Sequence, residues 1–338
     1  MVGVVQWQST GLWFRALWVR LPSPTPPFFN MLTSDKATLG LDIGGSSVKY
    51  GWGDCKVGLQ YFGKLELRQK NFPRLRETVR QILDICAREL GLSSLGAIGI
   101  GTPGTIDRNS GKIVGVNPNL PFWVDTDPRE LIPKELGLPV FCDNDANLMC
   151  LAEAWLRGGQ GSVAGITVGS GIGCGFVVDG LIWHGAHGFA LELGHITSIS
   201  QGELCSCGRN GCLEAYASVE GLRHRLLELP GADDFITESS NLSSLLAFSQ
   251  ASPAAANIIA EGRDVLACGI SDLIVILDPD AVVIGGGAMD GGLYPWNELK
   301  RLVKENLPSV NEERTSLEQA REGNRAGVLG AVILASQS

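Results

Sequence analysis

The sequence predicts an α/β protein built of two similar halves that face each other across a cleft. Three observations carry this. Short apolar runs alternate with stretches of helical periodicity along the chain. The order β-hairpin, helix, strand occurs twice, once from Thr38 and again from Val163. Several of the strands run into glycine turns, which would line a cleft between the halves.

The elements follow in order. "TLGLDIGG" is a buried strand entering a glycine turn, and "VKYGWGD" is its hairpin partner. "LRETVRQILDICAREL" carries apolar residues at helical spacing, and "LGAIGIGTPG" is a second buried strand ending in a turn. "PVFCDNDANLMCLAEAWLRGG" reads as a strand, a turn and a helix that glycines end. "GSVAGITVGSGIGCGFVVDGLIW" gives two strands about a glycine-rich hairpin. "ANIIAEGRDVLACGISDLIVILDP" is a long helix, "AVVIGGG" a strand and glycine turn, and "RAGVLGAVILAS" a terminal helix. The expected division is a small domain over 38–142, completed by the helix at about 324–338, and a large domain over 143–323.

Composition bounds the function. With 338 residues, 44% hydrophobic and 19% charged, the chain can bury one large core or two moderate ones. A net charge of −9 argues against nucleic acid as a partner, because phosphates are repelled. The absence of any run of about 18 apolar residues argues against a membrane span. The first thirty residues do not match the rest: three tryptophans, Arg15, Arg20 and a proline cluster show neither strand alternation nor a helical face, and Arg15 and Arg20 interrupt the apolar run a secretory signal needs. We expect translation to start at Met31, leaving residues 1–30 outside the native fold. A mass readout of the native N-terminus that found them would refute this.

Without an export signal the expected compartment is the cytoplasm, where thiols stay reduced. The nine cysteines are an odd number and six are scattered, so they are not a disulfide framework. The other three lie in "HITSISQGELCSCGRNGCLE". Cys205, Cys207 and Cys212 fall within eight residues, with Gly208 and Gly211 permitting a tight knuckle. Zinc takes four tetrahedral N/S ligands, and His195 supplies the fourth. A closed Cys3His set is structural rather than water-activating.

The glycine turns suit phosphates. "LDIGGSSVK" places Asp42 at a strand end before Gly44, Gly45 and Ser46, whose backbone N–H groups and hydroxyl can approach a phosphate. Asp42 can orient Mg2+ or its waters, and Lys49 is a weaker phosphate candidate. Alone, such a turn reads better as a tight hairpin with a turn-forming Asp. "TVGSGIGCG" offers the same chemistry through Gly169, Ser170, Gly171 and Gly173, and "IGGGAM" offers Gly285, Gly286 and Gly287 to a nucleotide. The pattern is neither a Walker A nor a dinucleotide fingerprint. In "NDAN", Asn144 and Asp145 stand at a strand end, where a carboxylate can take a hydroxyl proton; read alone, the motif favours Asp145 as the cap of a helix starting at Ala146. Asp143 reads as structural.

These residues, with "GIGTPGTID", "ELGH" and "CSCGRNGC", resemble the ROK family of repressors, uncharacterised frames and sugar kinases, from about Thr38 to the C-terminus. The resemblance implies an actin-like, hexokinase-like ATPase fold with ribonuclease H-like halves. It implies Asp145 as catalytic base, with Asn144, Glu192, His195 and Glu214 on the sugar; Gly101, Thr102 and Asn117 are lesser candidates that turn formation explains nearly as well. It implies ATP, Mg2+ and structural Zn2+ as cofactors, a small-molecule sugar as partner, and a homodimer. The family's zinc motif has the same order and spacing. The expected activity is ATP-dependent phosphorylation of a hexose, glucose first, at its 6-hydroxyl. N-acetylglucosamine, mannose or fructose as acceptor, polyphosphate as donor, and a catalytically silent sugar-sensing regulator are the alternatives. Ser46 and Ser170 stand where the family usually has threonine, keeping the hydroxyl. Cys174 and Leu191 replace usual glycines and reshape the pocket edge. The family's repressors carry an N-terminal helix-turn-helix of some eighty residues, which thirty residues with a proline cluster cannot form, so the kinase branch is expected.

Overall fold

A computed structural model describes residues 36–115, 120–237, 241–309 and 313–337. The Met31 start and Asn117 lie outside the described residues. Two five-stranded sheets of matching topology organise the chain. The first contains β1 (Ala37–Ile43), β2 (Ser47–Asp54), β3 (Gly58–Glu66) and β4 (Leu95–Thr102). A two-residue hairpin of β5 (Thr105–Ile106) and β6 (Ile113–Val114) follows, and β7 (Val140–Asn144) completes the sheet in the order β3-β2-β1-β4-β7. The second contains β8 (Ser162–Val168), β9 (Ile172–Val178), β10 (Leu181–Ile182), β11 (Ala281–Gly285) and β12 (Ser316–Gln319), in the order β10-β9-β8-β11-β12. In both, an antiparallel meander is extended by two parallel strands. The repeat inferred from element order is therefore present strand by strand.

The first half's crossover helix, α1 (Phe72–Glu89), starts where the Asn71 side chain accepts the Arg74 N–H, and it buries Leu75, Val79, Ile82, Leu83 and Cys86. That is the amphipathic face its spacing predicts. The turn expected between strand and helix near residues 143–146 does not exist. β7 runs to Asn144 and α2 (Asp145–Leu156) begins at the next residue; the Asn144 carboxamide oxygen accepts the N–H groups of Ala146 at 2.8 Å and Asn147 at 3.4 Å. Asn144, not Asp145, is the helix cap. In the second half, α3 (Leu213–Ala217), α4 (Val219–Leu227) and α5 (Leu242–Ala251) precede the long α6 (Pro253–Leu277); α7 (Gly287–Asp290) and α8 (Trp296–Asn306) lie between β11 and β12. The chain closes with α9 (Ala326–Gln337). Among the described residues no helix is long and apolar enough to cross a membrane.

Helices α2 and α9 are apolar around most of their circumference, which requires burial on more than one side. Each leaves one sheet and packs on the other: α2 on β8 and β9, α9 on β1, β2 and β4. They also pack on each other, so closely that a Cβ at Gly330 would collide with the Leu148 carbonyl. Leu148, Leu151, Val163, Val177, Val283, Leu329 and Ile333 fill the seam.

A charged network locks the far end of this seam. The fully buried Glu153 accepts from Arg157 at 2.8 Å and from the Arg321 N–H at 2.7 Å, and Arg157 reaches Glu318 at 2.7 Å. Breaking a buried pair leaves an uncompensated charge. Glu153→Ala is therefore expected to lower stability by about 3–5 kcal/mol. Denaturant titration measures this; a loss below about 1 kcal/mol, typical of exposed pairs, contradicts it.

Candidate active site

Parallel neighbours carry their C-terminal ends to one edge of a sheet, and ligands in open α/β sheets bind outside that edge. Here β1, β4 and β7 end at Ile43, Thr102 and Asn144, while β8 and β11 end at Val168 and Gly285. The glycine turns and Asp145 follow these ends directly.

Asp42 lies against the start of α9, where a Cβ on Gly327 would stand 2.9 Å from its carboxylate. Its register partner Lys49 donates to it at 3.2 Å. Asp145, one residue past the strand end, is half-buried. Desolvation raises its pKa to about 6 and the charge of Asp42 adds to this; the Ala146 N–H, at 2.9 Å, and Lys49 oppose it. A carboxylate poised just below neutrality is what a general base needs.

The turns differ in what they offer. At Gly169 and Gly287 no atom lies within 4 Å of where a Cβ would stand, so both backbones face open space. Ser46 and Ser170 are exposed. The Val219 and Glu220 N–H groups donate to the carbonyls of Gly169 and Ser170 at 2.9 and 3.3 Å, fixing that turn to α4. Gly44 donates to the Ser47 carbonyl at 2.9 Å, and Gly45 lies beside it in the same turn. Open backbone at two turns fits a polyphosphate chain.

Three assignments change. Gly173 is not part of the phosphate turn: it lies in β9 against Ala146, lining the pocket described below. Gly285 is buried in β11, packed beneath Ala320, and Gly286 approaches the Val168 backbone at φ 101°, leaving Gly287 as the exposed member of that trio. Thr102 is fully buried, accepting from Trp123 Nε1 at 2.6 Å and donating to the Pro103 carbonyl at 3.3 Å; Gly101, also buried, packs on Leu148. These two build the β4 end rather than facing a ligand.

Between the halves lies a pocket. Asn144 and Glu192 line it, together with Asp143, His184, Cys174 and Leu191. Two pairs tie its walls. Thr105 Oγ1 donates to Glu192 at 3.0 Å, and His184 Nε2 meets Asp143 Oδ2 at 2.6 Å. The other oxygen of Asp143 accepts the Asn144 N–H and Asn147 Nδ2, both at 2.8 Å. Asp143 thus braces the strand-to-helix junction, as its structural reading expected, but His184 and Thr105 were missed. Forty-one residues separate His184 from Asp143, and no local pattern joins them. Leu191 holds φ 65°, a left-handed conformation that costs a residue with a Cβ roughly 1–2 kcal/mol.

His195, Cys205, Cys207 and Cys212 converge, with all four ligand atoms within 4.8 Å of one another. Tetrahedral zinc with Zn–S bonds of about 2.3 Å holds sulfurs about 3.8 Å apart. Cys207 and Cys212 are 3.7 Å apart, as are His195 Nδ1 and Cys205. All nine cysteines are free. The donor chemistry and spacing therefore fit zinc, with His195 contributing Nδ1. Arg209 clasps the loop, donating to the His195 carbonyl and to Thr197. Glu214, two residues past Cys212, accepts the Ile172 N–H at 2.8 Å and the Ser206 hydroxyl at 3.3 Å. Its carboxylate joins the metal loop to the Gly169–Gly171 turn.

Two duplicated α/β halves, with glycine turns at facing strand ends and a carboxylate between them, define the actin-like, hexokinase-like ATPase fold. The chain belongs to the ROK family, which it matches over residues 38–338. It is 30% identical over 314 residues to a glucokinase of Thermotoga maritima, covering 88% of this chain and 96% of that one. It is 36% identical over 248 residues to a putative xylose repressor of a Caldicellulosiruptor species, covering 70% of this chain; it spans 61% of the repressor's length. Among solved structures, the ROK hexokinase from Thermus thermophilus superposes with a TM-score of 0.75 at 32% identity, over 88% of this chain and 97% of that one. A ROK family glucokinase from Streptomyces griseus, in complex with glucose and AMPPNP, superposes with a TM-score of 0.73 at 26% identity, over 89% and 100%.

Proposed function

We propose that the protein is an ATP-dependent sugar kinase that phosphorylates a hexose, glucose first, at the 6-hydroxyl. The observation that carries this is Asp145. Asn144 takes the cap position, and Asp145, raised to about 6, follows it at the strand end, next to the pocket-lining Asn144. Asp145 takes the hydroxyl proton as the oxygen attacks. Asn144, Glu192, Glu214 and the Nε2 edge of His195 hold the ring. Ser46, Gly44, Gly45, Gly169, Ser170, Gly171 and Gly287 are the residues that would hold ATP, with Asp42 toward Mg2+; bound there, Mg·ATP supplies the phosphoryl group and neutralises its charge. Lys49 keeps Asp42 from opposing the incoming phosphates. The two halves, divided near Asp143, act as domains whose closure excludes water. Zinc at His195, Cys205, Cys207 and Cys212 fixes the loop that carries Glu214. We take the protein to be cytoplasmic and homodimeric.

Coupled ADP release over glucose, mannose, fructose, N-acetylglucosamine and N-acetylmannosamine tests the reading, with Asp145→Ala as control. A sugar-dependent rate that collapses in the control supports it. Absence of turnover in zinc-replete protein favours the second reading, a silent sugar sensor, to which the repressor relative points. The intact Asp145 and open phosphate turns favour the kinase.

A further inference from the structure

Among the described residues, Leu191 is the one non-glycine residue at positive φ that lines the pocket. Of the non-glycine residues at positive φ, namely Asp125, Asp179, Leu191, Gln201 and Asp278, only Leu191 is apolar, and only Leu191 is among the pocket-lining residues. Aspartate, like asparagine, tolerates left-handed backbone through local polar contacts; leucine gains nothing of that kind. Strain of this sort persists where the surroundings over-determine it, and it clusters at ligand sites. Its side chain is half-buried, packed against the second half's core while facing the pocket. Leu191 is also the residue directly before Glu192, whose carboxylate Thr105 ties to the first half.

The same pocket is also lined by polar groups: Asn144, Asn147 and the Asp143–His184 pair. Cys174 lines the same pocket, buried and held as a neutral thiol by desolvation. Leucine and a buried thiol thus add to the pocket an apolar surface whose one weak donor, the S–H, is directed to the Gly175 carbonyl. A hydroxyl on a sugar ring can reach the polar groups. An amide-bearing substituent would press its own polar group against leucine and thiol, and such a group left unpaired is disfavoured.

We infer that Leu191 is a specificity-determining residue, a strained apolar plug that restricts the acceptor to unsubstituted hexoses and rejects N-acylated amino sugars. This rests on the sugar-kinase reading above and narrows it. A glycine at this position would satisfy the backbone without filling the subsite, so the choice of leucine is set by the pocket and not by the turn.

The test uses the full chain, zinc-replete, and reads sugar binding by calorimetry before any turnover. Glucose and N-acetylglucosamine are titrated into the wild type, Leu191→Gly and Leu191→Asn. Glycine relieves strain and removes bulk, whereas asparagine relieves strain and puts a hydrogen-bonding amide where the apolar side chain stood. The wild type is expected to prefer glucose. Leu191→Gly should shift the glucose to N-acetylglucosamine affinity ratio at least tenfold toward the amino sugar. Leu191→Asn, which offers an amide partner, should also shift the ratio toward the amino sugar while raising Tm, and an unchanged ratio in the folded variant counts against the inference. A wild type that prefers N-acetylglucosamine overturns the inference. So does a glycine variant of unchanged ratio whose Tm shows it folded. If glycine unfolds the chain, Leu191→Ala replaces it with the same expected direction, and an unchanged ratio there overturns the inference equally. Binding of neither sugar by any variant overturns both this inference and the sugar-kinase reading, whereas binding without ADP formation overturns the kinase alone.

Discussion

Asp145→Asn is expected to lower kcat by about 10^2–10^4-fold while making the protein more stable. The two effects share one cause. Burial raises the Asp145 pKa to about 6 from an unfolded value near 3.9, so the native state holds its proton more tightly than the unfolded chain does. The stabilising contribution of the protonated carboxyl is present below about pH 4 and is lost as pH rises through about 6. At pH 7 the charged form therefore destabilises the fold, by on the order of 1–3 kcal/mol for a half-buried group. The neutral carboxamide removes that penalty, and its oxygen still accepts the Ala146 N–H. Chemical denaturation at pH 5 and pH 8 should show the variant's advantage growing with pH. Because the proton must leave the base before it can act, kcat/KM of the wild type should fall roughly tenfold per pH unit below about 6. A variant that keeps wild-type turnover removes Asp145 from the chemistry. A variant less stable than wild type at pH 8 contradicts the electrostatic account.

The second large effect concerns the metal loop. Structural zinc contributes on the order of 10–16 kcal/mol in small peptides, far more than the backbone hydrogen bonds of this knuckle could replace. Cys207→Ser, or stripping with a strong chelator, should release the segment from His195 to Cys212. His195 then loses its orientation through Nδ1, and Glu214 loses Ser206. Sugar affinity is expected to fall more than tenfold, which is about 1.4 kcal/mol or more. Nucleotide affinity should change by less than about threefold. The Gly169–Gly171 turn keeps its bonds from Val219 and Glu220 even when Glu214 lets go of Ile172. Metal content by mass spectrometry, with separate titrations of glucose and AMPPNP, measures each arm. Sugar binding that survives complete metal loss separates the loop from the sugar site, and equal loss of both ligands makes the zinc a global fold determinant.

The strands that carry the halves were legible because each is an uninterrupted apolar run ending in glycine: "TLGLDI", "LGAIGIG", "VAGITV" and "AVVIG" are buried along most of their length. β3 was not, because it is an edge strand with most residues half-exposed, so it lacks the apolar run that announces a central strand. Two short helices, α3 after the metal loop and α7 after β11, escaped for the related reason that they are too brief to show a helical face. The junction at Asn144 was misjudged because Asn and Asp adjoin and either can cap. The two-atom grip of Asn144 on Ala146 and Asn147 decided it.

The sequence by itself determined the chemistry on offer: the Cys3His set, the hydroxyl-bearing glycine turns and the acidic residues of "NDAN" and "ELGH". Residue type and short spacing suffice for a metal knuckle or a phosphate turn, since both are built from neighbours in the chain. Only the tertiary structure decided which of those groups face the cleft. It buried Thr102 under Trp123, moved Gly173 from the phosphate turn to the pocket wall, joined His184 to Asp143, and set Leu191 in a left-handed bend beside Glu192. These outcomes depend on which surfaces α2 and α9 bring together between the sheets. Long-range packing of that kind leaves no local signature in the chain.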